Sequence, residues 1–428
     1  MQKIEEIKDK ASYCLNCKVK PCSRKGCPLS NNIPEFIKQV KEENYKEAYQ
    51  ILCETTVLPG VCGKICPHQK QCQGSCIRGI KGKSVSIGEI ESFVFEKAMQ
   101  RGESLLKCWK KEIAENAKEN KNKKVAVIGG GPSGLTASAF LARSGINVTI
   151  YEKYNYLGGL LMHGIPEFRL PRQTIEQTVN NILELGVEVK YNQELGKNLK
   201  LEDLKREYDA IFLGFGANVS SKMGVEGEEL PGVFGGNELL EYNSHPNYKG
   251  KTVAIVGGGN VAMDCARTIK RLGAKEVKVI YRRAREQMPA EDKEIEEAIK
   301  EGVEFLFQNN IVKILGQDKV EEVELIKTEL IQKDGETRLV PINIKNSNYK
   351  INIDYVVMAL GSKTDPVVKE LGLKLDKWEN IEINENYQTS DPKIYAGGDL
   401  AGVRGTVAWA AYSGREASKK IIEAFQSH

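Results

Sequence analysis

The chain has 428 residues, of which 41% are apolar and 28% charged, with a formal net charge of +4. That is the balance of a soluble globular protein of two or three domains, and so small an excess of cation gives no electrostatic case for nucleic acid. The charged start MQKIEEIKDK lacks the apolar core of a signal peptide, and no apolar run reaches the ~18 residues of a membrane span, so a cytoplasmic, reducing environment is expected.

Cysteine dominates the first part of the chain. Nine of the eleven cysteines precede residue 77, leaving only Cys108 and Cys265 downstream. Cys14, Cys17, Cys22 and Cys27 are spaced C-x2-C-x4-C-x4-C and followed by Pro28, while CGKICPHQKQCQGSC carries Cys62, Cys66, Cys72 and Cys76. Thiolates this close in sequence can wrap a soft metal centre, and two runs can hold two centres. In bacterial ferredoxins the Cys that precedes a Pro ligates the other cluster. Zinc is the competing reading, but zinc sites commonly use paired C-x2-C hooks, and Cys14/Cys17 has no second hook to match it. Disulfides are disfavoured by a reducing compartment. Helical patterning, as in NNIPEFIKQVKEENYKEAYQIL, predicts a helical iron–sulfur domain over residues 1–118, and polar ENAKENKNKK reads as a solvated linker.

From Lys124 strands alternate with helices, the texture of doubly wound α/β domains. In KVAVIGGGPSGLTASAFLARSGINVTIYEK, Gly129, Gly131 and Gly134 follow an apolar strand and open an apolar helix. Gly129 permits the tight turn, Gly131 lets the backbone approach a pyrophosphate, and Gly134 lets helix and strand pack closely. Glu152, at the end of the next strand, is placed to accept hydrogen bonds from a ribose. A second copy, KTVAIVGGGNVAMDCARTIKRLGAKEVKVIYRR, carries Gly257, Gly259 and Ala262. Where an acid would hold an unmodified ribose it reads Tyr281-Arg282-Arg283, and guanidinium groups pair with a 2′-phosphate that an acid would repel. The first fold is therefore expected to hold FAD and the second NADPH. The implied domains are 119–250 with 388–428 for FAD and 251–387 for NADPH.

The segment KIYAGGDLAGVRGTVAWAAYSGREA resembles the closing motif of flavoproteins with two dinucleotide-binding domains. That likeness implies that Gly398 and Asp399 meet the ribityl chain. It also implies that a helix starting near Thr406 and Val407 points its N-terminus at the flavin, where its dipole favours the anionic reduced form. DAIFLGFGA and DYVVMALGS resemble the strands that lead back between the two domains, with Phe215 where a small residue is more usual.

The succession of the cysteine block, LPGVCGKICP, SVSIGEIE, GGGPSGL, LGGLLMHGIPEFRLP, GGGNVAMDCAR, YRRAREQMPA and YAGGDLAGVRGTVAWAA covers essentially the whole length. It resembles the family of the small subunit of NADPH-dependent glutamate synthase. Relatives in that family include the flavin subunit of NADH-dependent ferredoxin:NADP transhydrogenase and the N-terminal half of dihydropyrimidine dehydrogenase. The resemblance implies two [4Fe–4S] clusters with interleaved ligands. Cys14, Cys17, Cys22 and Cys76 would hold one; Cys27, Cys66 and Cys72 would hold the other, with Glu91 as its fourth ligand. From the residues alone Glu91 reads as a solvated helix carboxylate. Cys53, Cys62, Cys108 and Cys265 are left as spare, buried small residues. The family also points to Pro132, Ser133, Gly159 and Arg169 beside the flavin, to Asn260 and Val261 beside the second nucleotide, and to REQMPA beside the nicotinamide.

A flavin exchanges electrons in pairs with NADPH and singly with a cluster, so this order of modules implies a circuit from NADPH to FAD to the clusters, or its reverse. The protein's part is positioning and electrostatics, and with four histidines no catalytic dyad or triad emerges. His163 reads as a loop residue. The expected function is an electron-input subunit of the glutamate synthase small-subunit type, serving a large catalytic subunit or an electron-transfer protein. Transhydrogenase, sulfide dehydrogenase or dihydropyrimidine dehydrogenase subunits are the alternatives. A zinc-bound interaction module on a redox-sensing flavoprotein is the non-catalytic one. A thioredoxin-reductase-like disulfide reductase needs a C-x-x-C beside the flavin, and only Cys265 lies in the α/β part.

Overall fold

A computed structural model describes residues 2–332, 338–403 and 405–427. The N-terminal block is helical, as expected: α1 (Gln2–Ser12), α2 (Ile33–Lys41), α3 (Tyr45–Cys53), α4 (Pro59–Ile65), α5 (Ile87–Gln100) and α6 (Leu105–Asn120). α2 shows why these segments coil. Pro34 sits in its first turn, and Ile33, Phe36, Ile37 and Val40 fall on one face at helical spacing and are all buried. α5 is the hub, packing against α1, α2, α3 and α4 through residues such as Ile90, Phe93 and Val94. The cysteines lie mainly in the irregular stretches between these helices, where the backbone can turn its thiols inward.

The polar stretch expected as a linker is helix instead. α6 starts on Ser104, whose hydroxyl accepts from the Lys107 N–H, and runs to Asn120. Asn116 and Asn120 donate to the carbonyls of Arg143 and Ser144. These polar side chains read as solvated in sequence, yet they close the end of the next helix, which is why the coil does not stop at residue 115.

The α/β part follows as β1 (Lys124–Ile128), α7 (Pro132–Arg143), β2 (Asn147–Tyr151), α8 (Leu160–His163), α9 (Arg172–Leu183), β3 (Glu188–Lys190), α10 (Leu201–Glu207) and β4 (Ala210–Leu213). Next come β5 (Val219–Ser220), β6 (Val233–Gly235), α11 (Gly236–Tyr242), β7 (Thr252–Val256), α12 (Asn260–Arg271), β8 (Glu276–Tyr281), α13 (Asp292–Lys300) and β9 (Glu304–Phe307). Four antiparallel strands, β10 (Asn309–Leu315), β11 (Glu322–Ile331), β12 (Val340–Asn343) and β13 (Tyr349–Asn352), precede β14 (Tyr355–Met358) and β15 (Ser362–Lys363). β16 (Ile394–Ala396) and α14 (Val407–Gln426) close the chain.

Two parallel five-stranded sheets result, ordered β16-β4-β1-β2-β3 and β6-β14-β7-β8-β9. In each, the strand before the glycine turn (β1 or β7) is central and apolar, as a strand buried on both faces must be. The chain forms two compact units: one holds the residues up to 162, 167–217 and those from 364 onward, the other 163–166 and 218–363. The helical block thus shares a unit with the first dinucleotide fold, and the junctions lie away from the expected 250/251 and 387/388. Residues 218–250 belong with the second unit because β6 hydrogen-bonds β14. Beyond residue 364, Val368 and Ile381 join Ile211 and Leu213 in the core of the first.

Candidate functional site

The two cysteine runs are interleaved in space. One cavity is lined by Cys14, Cys17, Cys22 and Cys76, together with Leu15, Ile33, Ile77 and Arg78. A second is lined by Cys27, Cys66 and Cys72, with Glu91, Cys62, His68 and, from the first turn of α14, Ala408. Ile33 stands in the wall of both. The loops meet at Gly26, where a Cβ would come within 2.8 Å of the Cys72 Cα, so only glycine allows the approach. Every cysteine is a free thiol, so the disulfide reading falls away. Among the described residues, no three His, Cys, Asp or Glu converge closely enough to hold a single metal ion. The thiols line the walls of two cavities, an arrangement that a multi-atom inorganic core needs. Burial pushes the Cys22 thiol up to about 11 and the Cys27 thiol to about 12, and raises Cys14 and Cys72 as well. Metal-free, those thiols stay protonated at neutral pH; as thiolates they need a cationic core in the cavity to offset their charge. The donor set and its placement therefore fit iron–sulfur clusters.

Glu91 is 5% exposed, which overturns the residue-by-residue reading of a solvated carboxylate. It lies on the face of α5 that meets α4, and burial pushes its carboxyl up to about 8. Asn31 donates to Glu91 Oε1 at 3.3 Å, and Thr55 Oγ1 donates to Asn31 Oδ1 at 2.7 Å. Of the spare cysteines, Cys62 is hydrogen-bonded to Cys66 inside the second cavity, and Cys53 to Cys108. Cys265 is fully buried, its thiol 3.6 Å from the Gly236 carbonyl.

The same unit carries the first glycine turn. Gly129 has φ +97°, and a Cβ there would meet the Phe215 backbone at 2.6 Å. A Cβ on Gly134 would lie 1.9 Å from the Gly129 carbonyl. Gly131 differs: its nearest neighbour is the Gly159 Cα at 4.0 Å, so the two glycines leave an open cradle before the N-terminus of α7, where Pro132 and Ser133 begin the helix. Glu152 is buried at its edge, accepting the Gly130 N–H at 2.7 Å and the Tyr154 N–H at 3.0 Å. α14 arrives beside α7. Thr406 caps it by accepting the Trp409 N–H ahead of Val407, Ser413 receives the Gly398 N–H at 2.8 Å, and Ser133 and Ser413 are 3.4 Å apart. The first turns of α7 and α14 and the Gly398–Asp399 segment thus lie next to one another in this unit, and burial raises the Asp399 carboxyl to about 6. Arg169 lies on the half-buried segment between α8 and α9. A buried arginine that the sequence reading passed over ties α14 to the loops of the cysteine block. Arg415 Nη1 donates to the carbonyls of Leu29 and Thr55, at 2.9 and 2.8 Å.

In the second unit, Gly257 has φ +139°, and Gly259 opens on space bounded by Pro289 of REQMPA at 4.0 Å. Asn260, which starts α12 ahead of Val261, accepts the Glu291 N–H at 3.0 Å. Arg282 is exposed; Arg283 is half-buried and hydrogen-bonded to Tyr281, and among the described residues its Nε is enclosed without a hydrogen-bond partner. Burial raises the Tyr281 phenol above its ordinary value, partly opposed by the charges of Arg283, Arg282 and Arg338, the last a third cation from the residues just before β12. An orphaned guanidinium nitrogen beside two more cations suits the 2′-phosphate expected here. Arg338 escaped the sequence reading because it lies more than fifty residues downstream of the motif.

Known proteins resemble this chain in sequence and in fold. Residues 123–418 match the family described as pyridine nucleotide-disulphide oxidoreductase, and residues 1–103 match dihydropyrimidine dehydrogenase domain II, 4Fe-4S cluster. The glutamate synthase [NADPH] small chain of Halomonas elongata is 34% identical over 439 residues, which span 98% of this chain and 91% of that one. The chain belongs to the glutamate synthase small-chain family of FAD/iron–sulfur NADPH oxidoreductases. Another relative, the NADPH-Fe(3+) oxidoreductase subunit beta of Geobacter sulfurreducens, is 36% identical over 84% of this chain but only 54% of its own length. FprA from Mycobacterium tuberculosis in complex with NADPH matches 71% of this chain and 85% of its own with a TM-score of 0.64 at 20% identity, a likeness of fold. Among the described residues, no helix is long and apolar enough to cross a membrane.

Proposed function

We propose that this chain is the NADPH-linked electron-input subunit of a larger redox complex, carrying FAD in its first dinucleotide fold, NADPH in its second and two [4Fe–4S] clusters in its cysteine block. The observation that supports this most directly is the partition of the seven cysteines and Glu91 between two cavities, one of which abuts the first turn of α14. Flavin, when bound, couples the two-electron chemistry of a nicotinamide to the one-electron chemistry of a cluster.

The chain's own residues bind and orient. Gly129, Gly131 and Gly134 with Pro132 and Ser133 would seat the FAD pyrophosphate at the start of α7, bounded by Gly159, while Glu152 would take a ribose. Gly398, Asp399, Thr406 and Val407 would face the flavin end, with Arg169 nearby. Gly257, Gly259, Asn260 and Val261 would seat NADPH, and Arg282 and Arg283 would recognise its 2′-phosphate. Cys27, Cys66, Cys72 and Glu91 would hold the inner cluster, next to α14; Cys14, Cys17, Cys22 and Cys76 would hold the outer one. Arg415 fixes the inner loop against the flavin helix by pairing with two backbone carbonyls.

The relatives' names, small chain and subunit beta, support a partner subunit that receives or supplies the electrons. Anaerobic titration with NADPH tests the reading. Flavin absorbance should bleach together with partial loss of a broad band near ~400 nm from thiolate–iron charge transfer. Bound zinc without acid-labile sulfide, and flavin bleaching with no such band, would return the cysteine block to an interaction module.

A further inference from the structure

The outer cysteine cavity opens on a surface whose composition differs from the rest of the chain. Residues 11–34 and 55–88 contain nine Lys and Arg and not one Asp or Glu, in a protein whose Lys and Arg exceed Asp and Glu only by 62 to 58. Around that cavity the large apolar side chains stand in water. Leu15 and Ile77 line it and are 50% and 38% exposed; Val19 and Ile80 beside them are 66% and 76% exposed. The pieces form one patch. Arg78 stacks on the Tyr13 ring at 4.2 Å and donates to the Tyr13 carbonyl at 3.0 Å, and a Cβ on Gly82 would lie 3.6 Å from the Tyr13 hydroxyl. Lys18, Lys81 and Lys83 are exposed on its rim and take part in no ion pair among the described residues. Glu89, the nearest acid downstream of the second stretch, is already held by Lys10.

Cations needed only to offset a cluster would be enclosed beside its thiolates, whereas these stand in water around an apolar centre. An apolar core with a charged rim is the make-up of a protein-docking surface, and its charge selects the sign of the partner. We infer that this face, Leu15, Val19, Ile77 and Ile80 ringed by Lys18, Lys81 and Lys83, docks an acidic protein that exchanges single electrons through the outer cysteine cavity. The inference rests on the proposed electron-transfer function and adds the exit point and the charge of the partner.

The test uses one haem protein in two charge states. Native cytochrome c is basic; its lysine-succinylated form is acidic. NADPH gives up two electrons, leaving NADP+ and a proton, and two ferric haems each take one. With the intact flavin- and cluster-loaded chain at low ionic strength, the succinylated form should be reduced about tenfold faster than the native one, and added salt should erase the difference as screening sets in. Lys18→Glu/Lys81→Glu/Lys83→Glu should reverse the preference while flavin bleaching by NADPH and the cluster band stay as in the parent. Val19→Ser/Ile80→Ser, which keeps every charge, should slow the succinylated form by roughly three- to tenfold. An unchanged preference in the charge-reversed variant, or none in the parent, overturns the docking surface while leaving the electron-transfer reading intact. A chain whose clusters NADPH does not reduce overturns both. Binding to phosphatidylglycerol vesicles that the reversal abolishes, with no cytochrome discrimination, would assign the patch to a lipid surface and equally overturn the proposal.

Discussion

The cavity of Cys14, Cys17, Cys22 and Cys76 is walled in part by Leu15 and Ile77, which face water, whereas that of Cys27, Cys66 and Cys72 is enclosed by Glu91, Cys62 and Ala408. Both are made from the same two loops, yet one lies toward the surface and the other toward the flavin helix. The difference gives the block a direction: the enclosed cavity would exchange electrons with the flavin and the open one with a partner. A parallel contrast separates the glycine turns, since the first ends on a buried carboxylate and the second on cations with an orphaned nitrogen. In each pair one architecture is kept and the side chains decide what it serves.

The contrast between cavities is most sharply broken at its ligands. Glu91→Ala should remove about half of the iron and sulfide and leave the outer cluster reducible by dithionite but no longer by NADPH, with turnover to an external acceptor down more than about a hundredfold. Glu91→Gln, which keeps an oxygen donor, should retain part of the iron. Cys14→Ser should do the opposite, leaving the inner cluster reducible by NADPH. Equal behaviour of Glu91→Ala and Cys14→Ser in NADPH-reduced EPR spectra would remove the inner and outer assignment.

The contrast between turns is tested next. Replacing Arg282 and Arg283 by Ala should cost NADPH about 1.5–3 kcal/mol, roughly ten- to a hundredfold, with little change for NADH. Equal losses for both nucleotides, measured as KM or as Kd by flavin bleaching, would refute the 2′-phosphate role. Within the first turn the glycines should separate. Gly134→Ala should destabilise the fold itself by about 1–3 kcal/mol, because its Cβ meets a carbonyl. Gly131→Ala, which has space, should leave the melting temperature of the flavin-free chain unchanged and weaken only FAD.

The smallest effect expected is on pH. Asp399 is raised to about 6 in the fold against an ordinary 3.8. The folded, flavin-free chain therefore binds the extra proton between those values, so this group's stabilisation is greatest below ~4, falls as pH rises to ~6 and is then level, about 3 kcal/mol in all. Asp399→Asn should flatten that part of the melting-temperature profile; an unaltered profile would show that the carboxyl is not desolvated.

What the sequence made legible was local. The glycine spacing, the helix start at Thr406 and the density of cysteines are each set by a few adjacent residues, and all appear where the spacing implies. What it hid was set by distant partners. Glu91 cannot be recognised as buried until α4 packs on α5, and the polar tail of α6 is helical because it meets the end of α7. Residues 218–250 change units because β6 pairs with a strand more than a hundred residues later. Arg338 and Arg415 reach their sites from far along the chain, so no window around either motif contains them.

The central claim is that two cavities hold two clusters, and iron content tests it most directly. After anaerobic reconstitution, iron and acid-labile sulfide per chain should each approach about eight, with a Mössbauer spectrum of [4Fe–4S] centres. Near four of each in the unmutated protein would leave one cavity without its cluster, and tightly bound zinc with no sulfide would contradict the account outright.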